Sequence, residues 1–208
     1  MNAYLTVCEI SRPNAESRIV ALVNGAAPED TERVEQEEAT DQTAVLNLED
    51  YARDRIQSHI AQTFKEHRFA RLIESLLQAQ GYVTRLSPPG ADGGVDVIAG
   101  SGAMGFDPPR IAVQVKSQES PVDVGVLREL QGVLKTFGAQ QGLLVSWGGF
   151  KSSVVREARK LFFEIRLWDA GDVVDAITEN YDKLPNEIQV ELPLRRIWAL
   201  ADEAIAET

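Results

Sequence analysis

Sulfur and imidazole are scarce in this chain. It holds one cysteine, Cys8, and two histidines, His59 and His67, in 208 residues. A lone cysteine excludes an intramolecular disulfide, and one Cys with two His cannot build a His/Cys zinc centre. No apolar run approaches the roughly 20 residues that a membrane span needs, and the N-terminus lacks the pattern of a secretory signal. Positive charge is also short. Lys and Arg number 21 against 32 Asp and Glu, a net charge of −11 with a pI near 4.7. A protein that coats nucleic acid through bulk charge is thereby excluded. The expected compartment is the cytoplasm, with no membrane partner.

What is present is an ordinary globular composition, 44% hydrophobic and 25% charged, in a chain long enough to bury a core without staples. The acidity is uneven. Residues 1–60 carry 12 acidic and 5 basic side chains, whereas residues 61–180 carry 14 and 13. The middle is close to neutral and can present a local basic face to a polyanion.

Three segments follow from this pattern. Residues 1–45 read as an N-terminal strand–helix extension (Tyr4–Ile10, Pro13–Val23) followed by an acidic linker. Residues 46–185 read as the compact domain, and residues 186–208 as a C-terminal extension. Within the domain, helices are expected over 48–63, 68–80, 123–137, 150–162 and 172–180. The second of these carries Phe69, Leu72, Ile73, Leu76 and Leu77 at three- and four-residue spacing. The period changes to two over 82–86, 95–99 and 111–116, and short strands are expected again at 142–146 and 165–168. The core order is helix, three strands, helix, strand: an α/β fold with a mixed central sheet flanked by helices.

Alternation along 111–116 puts Ile111, Val113 and Val115 on one face and Ala112, Gln114 and Lys116 on the other. The same rule over 95–99 separates Asp96 and Ile98 from their odd-numbered neighbours. If these strands pair, Asp96, Gln114 and Lys116 project together. A carboxylate and an amide oxygen are ligands for a hard cation, and an ammonium suits a scissile phosphate or a metal-bound water. On its own, a Lys and a Gln on one strand face are most often a solvated surface.

The ordered set is more specific: Asp92-Gly93-Gly94-Val95-Asp96, seventeen residues, then Gln114-Val115-Lys116. It resembles the Mrr-like branch of the PD-(D/E)xK nuclease superfamily, in which Gln-x-Lys replaces the usual acid-x-Lys. The resemblance covers roughly residues 66–180, and includes Gln80-Gly81-Tyr82 and Gly142-Leu143-Leu144-Val145-Ser146. It implies a restriction-endonuclease-like αβββαβ core that hydrolyses DNA phosphodiesters with Mg²⁺, Mn²⁺ being able to substitute. Asp96, Gln114 and the Val115 carbonyl are then the implied metal ligands. Lys116 is implied to position the water and to stabilise charge on the phosphate. Many relatives carry Glu after the phenylalanine of the first helix. Here Ala70 follows Phe69, and Glu74, four residues on, is the expected substitute.

Lys151, Arg156, Arg159 and Lys160, with Asp92 from the glycine-rich loop, are the expected DNA contacts. A single site cuts one strand, so a homodimer on double-stranded DNA is expected, with recognition of a modified base in a separate domain. Two other classes compete. One is a catalytically inactive DNA-binding or assembly module of the same fold. The other is a nucleotide enzyme using Gly100-Ser101-Gly102-Ala103-Met104-Gly105. That match to G-x-G-x-x-G leads into two prolines and a strand, however, not into the helix that a pyrophosphate needs.

Overall fold

The computed structural model describes residues 48–88, 90 and 93–197. The expected N-terminal strand and helix, the acidic linker and Asp92 lie outside these residues. The chain divides into two units, Met1–Asp50 and Tyr51–Thr208, and the description concerns the second.

Two helices open it, α1 (Leu48–Thr63) and α2 (His67–Ala79). Strands β1 (Val83–Leu86), β2 (Val97–Ser101) and β3 (Asp107–Lys116) follow, then α3 (Val124–Leu134), β4 (Gln141–Ser146), α4 (Ser152–Ala158), β5 (Ile165–Trp168), α5 (Ala170–Asn180) and α6 (Asn186–Glu191). The sheet runs in chain order, β1-β2-β3-β4-β5. The first three strands are an antiparallel meander. Helix α3 then crosses over to β4, which lies parallel to β3, and β5 lies parallel to β4. This is the mixed α/β sheet expected from the order of periods.

Each face has its own core. Phe69, Leu72, Ile73 and Leu76 of α2 pack with Val173 and Ile177 of α5 against Val97, Val113 and Val145. Ile188 and Leu192, from α6 and the residue after it, join this cluster. On the other face Leu127, Leu130 and Leu134 of α3, with Val154 and Ala158 of α4, cover Ala112, Leu144 and Ile165. The alternation of β3 is therefore as expected: Ile111 and Val113 serve one core, and Ala112 the other.

Helix ends follow local chemistry. The Asp123 carboxylate accepts from the Gly125 N–H at the start of α3, and Asp169 with Asp172 forms a reciprocal capping box on α5. The helix expected over 150–162 is shorter. Phe150 bridges to Val122, Lys151 is extended, and the last turn, Arg159–Leu161, tightens to a 3₁₀ helix.

The Gly100–Gly105 run is the tip of the β2–β3 hairpin. A Cβ on Gly100 would lie 2.0 Å from the Gly105 carbonyl oxygen, and Gly102 and Gly105 hold φ of +78° and +75°. Hairpin sterics account for these glycines, and a strand follows them instead of a helix. Gly100→Ala is expected to lower stability by about 1–3 kcal/mol, readable as a reduced midpoint in urea.

Candidate active site

The site is built at the end of the sheet where β2 starts and β3 finishes. Val97 is the register partner of Val113, yet the Asp96 N–H also bonds the Val113 carbonyl, at 2.8 Å. Two residues thus oppose one, as in a β-bulge, and the alternation slips by one residue. Val95 falls into the α3-side core while Val97 stays in the α2-side core. This departs from the strict alternation expected over 95–99, and it changes where Asp96 points.

Asp96 Oδ2 accepts a 2.7 Å hydrogen bond from the Val115 N–H. Strand N–H groups lie in the plane of the sheet, so the carboxylate lies at its edge, between the two faces. It stands in for a main-chain acceptor just where β2 has not yet begun. Two further bonds hold this stretch: the Ser87 N–H donates to the Asp96 carbonyl at 2.8 Å and the Ser87 hydroxyl to the Val95 carbonyl at 2.7 Å. The Val115 carbonyl faces the same edge as its N–H, because both groups of a strand residue share an edge.

Gln114 and Lys116 flank Val115. Gln114 is only 2% exposed, and among the described residues its Oε1 is the one buried side-chain polar atom without a hydrogen-bond partner. An orphaned buried amide oxygen costs about 1–3 kcal/mol unless something binds it. The Gln114 amide nitrogen lies 3.5 Å from where a Gly94 Cβ would stand, so the main chain at Gly94 packs against it. Lys116 is half-buried and forms no ion pair among the described residues. Its carbonyl accepts from the Trp147 N–H at 2.8 Å, and Trp147 is pinned edge-on to Phe69, with ring centroids 5.3 Å apart.

A cleft of about 270 Å³ opens beside Asp96, walled by Val115 and Ser117 of the β3 end, Ser87, and Glu66, His67 and Ala70 of the α2 start. Glu74 is not on this wall. Its Oε1 accepts from the Thr84 hydroxyl of β1 at 3.1 Å, and Thr84 accepts in turn from Gln78 at 2.8 Å. The structure brings Asp96, Gln114, Val115 and Lys116 to one strand end, and leaves Glu74 with β1. Glu66, which the sequence reading did not single out, lines this wall. It has φ 50° and ψ −121°, and is the one non-glycine residue with positive φ among the described residues. The Arg68 N–H to Lys65 carbonyl bond, 3.0 Å, closes a tight turn around it. These angles suit the glycine position of a II′ turn, and a side chain there costs about 1–3 kcal/mol. Glu66 sits one helical turn before Ala70, a spacing the sequence displays, but its turn conformation is invisible in residue types.

The expected basic stripe is divided. Arg156 and Arg159 line one cavity of about 360 Å³ with Ser152 and Val155. Lys160 instead bonds Glu157 at 2.8 Å and holds that carboxyl below its usual range. Lys151 is exposed at the head of α4, where its N–H bonds the Val122 carbonyl at 3.1 Å.

Among the described residues no three His, Cys, Asp or Glu side chains stand together as a metal cage. The donors at this end of the sheet are one carboxylate, one orphaned amide oxygen and a main-chain carbonyl, all of them oxygens of the kind that suit a hard divalent cation.

Residues 61–177, more than half of the chain, match the Mrr_cat family, described as restriction endonuclease. The chain belongs to this restriction endonuclease family. Its fold matches that of the DNA modification-dependent restriction endonuclease AspBHI, at 20% identity and a TM-score of 0.52 over 68% of this chain and 38% of that one. It likewise matches the MspJI restriction endonuclease, solved with a 27-mer oligonucleotide, at 18% identity and a TM-score of 0.51 over 69% of this chain and 36% of that one. This Mrr_cat chain therefore spans well under half the length of either. No curated protein sequence matches it. Among the described residues, no helix of this family member is long and apolar enough to cross a membrane.

Proposed function

We propose that the chain is a Mg²⁺-dependent DNA endonuclease of restriction type that acts on modified DNA. The observation that carries this reading is the Asp96 carboxylate held on the Val115 N–H between Gln114, whose amide oxygen is buried and unpaired, and Lys116. Asp96, Gln114 and the Val115 carbonyl would hold the divalent ion, which supplies charge neutralisation at the phosphate and a more acidic bound water.

The chain's own residues do the rest. The Val115 N–H fixes the carboxylate's direction before substrate arrives, so no reorientation is needed at the moment of reaction. The Lys116 ammonium holds the attacking water and donates to a non-bridging phosphate oxygen. The water oxygen bonds to phosphorus as it gives up a proton to solvent, the bond to the leaving sugar oxygen breaks, and that oxygen takes a proton from solvent. Arg156 and Arg159, with Lys151, supply backbone phosphate contacts that carry no sequence information.

Modified DNA as the target rests on the matched AspBHI, whose name states that dependence. Since the chain spans about a third of these longer proteins, recognition is assigned to a separate domain, and cutting both strands to two copies of the chain.

The test is plasmid DNA, with and without modified bases, incubated with Mg²⁺ or Mn²⁺. Wild-type protein should nick it, and Lys116→Ala should lower the rate by about 10²–10³. Nicking that survives Lys116→Ala, or wild-type binding with no cutting in either metal, would overturn the assignment. Binding without cutting would leave the DNA-binding module, which one observation favours: Ala70 on the cleft wall carries no donor.

A further inference from the structure

The proposed cation site is short of charge. Asp96 contributes one negative charge, Gln114 none and the Val115 carbonyl none. The apolar Ala70 side chain, 4% exposed, faces the cleft from α2, and Glu74, one turn further along, is engaged with Thr84. One turn in the other direction stands Glu66, on the wall of the same cleft.

Three observations single out Glu66. It occupies a backbone conformation that a glycine would take without strain, so the turn itself gives no reason for a side chain there. Its N–H donates at 3.1 Å to the Ser117 hydroxyl, the residue after Lys116, which ties this turn to the strand end that bears the site. And the cleft it borders is also lined by Asp96 and by Val115, whose N–H holds the Asp96 carboxylate.

We infer that Glu66 supplies the second carboxylate of the divalent-cation site, replacing from one turn earlier the acid that position 70 lacks. This rests on the nuclease reading and names a residue that reading does not include. Two carboxylates, an amide oxygen and a carbonyl make a donor set of net charge −2, matched to a divalent ion. Glu66 is exposed on the cleft wall, so its carboxylate would reach an ion there without DNA present.

The experiment is calorimetric titration of the full chain with Mn²⁺ alone, beside melting curves and plasmid nicking. Glu66→Gln should weaken Mn²⁺ binding about tenfold or more and slow nicking, with an unchanged melting midpoint. Glu66→Gly should lose the same affinity while its midpoint rises by about 3–6 °C, since the strain is relieved. A purely structural role for Glu66 would not separate binding from stability in this way. Mn²⁺ affinity retained in either variant, with wild-type nicking intact, overturns the inference and leaves the nuclease reading standing. So does a loss confined to Glu74→Gln. A wild-type chain that binds no Mn²⁺ and cuts no DNA overturns both.

Discussion

Asp96→Asn is expected to reduce DNA cleavage by a factor on the order of 10³ while leaving the fold intact. The substitution is close to isosteric, and the asparagine amide oxygen can still accept from the Val115 N–H, the bond that defines this edge of the sheet. The Ser87 contacts use only the main chain of residues 95 and 96, and are untouched. What disappears is the formal charge of the proposed cation site. Nicking rates measured with gel-shift affinity and melting midpoints separate the possibilities. Lost cutting with retained DNA binding and a midpoint within a few degrees is the expected set. Cleavage at the wild-type rate would remove Asp96 from the reaction, and with it the present reading of the site.

A comparable loss should come from a residue with no chemistry at all. A Cβ added to Gly148 would lie 2.3 Å from the Glu119 carbonyl oxygen, 2.4 Å from its carbon and 2.7 Å from the Ser120 carbonyl carbon. These are main-chain atoms and cannot rotate aside. The two segments they belong to are laced together. The Trp147 N–H reaches the Lys116 carbonyl, the Gly148 N–H reaches Gln118, and the Val122 N–H reaches Gly149. Gly148→Ala must push the segment after Lys116 away from the segment after β4, breaking the bonds that lace the two together. A cost of about 2–4 kcal/mol is expected, seen as a lower urea midpoint, with cleavage impaired even in the folded fraction. Wild-type stability in Gly148→Ala would mean that the seam is looser than described.

Much of this was legible in residue types. The helical spacing of Phe69 to Leu77, the period of two in 111–116 and the short apolar 142–146 gave the element order and the mixed sheet, since each depends on which side of an element is apolar. The start of the fourth predicted helix was not legible. Phe150 and Lys151 are drawn into an extended bridge with Val122, a tertiary pairing that no local pattern announces. Nor could alternation place Asp96. Counting by twos put it on the same face as Gln114 and Lys116, but the doubled pairing opposite Val113 turns it to the sheet's edge. Glu74 was chosen by helical spacing alone, which cannot choose between one turn forward and one turn back. The structure puts Glu66 on the cleft wall and Glu74 beside Thr84.

The outermost strands of the described sheet, β1 and β5, have four residues each, against ten in β3. Borders this brief offer little ladder for another chain to extend. If two copies meet to sever both backbones of a duplex, they should therefore dock through side-chain surfaces, leaving each cleft's reach along the groove to be set by how helices and loops abut.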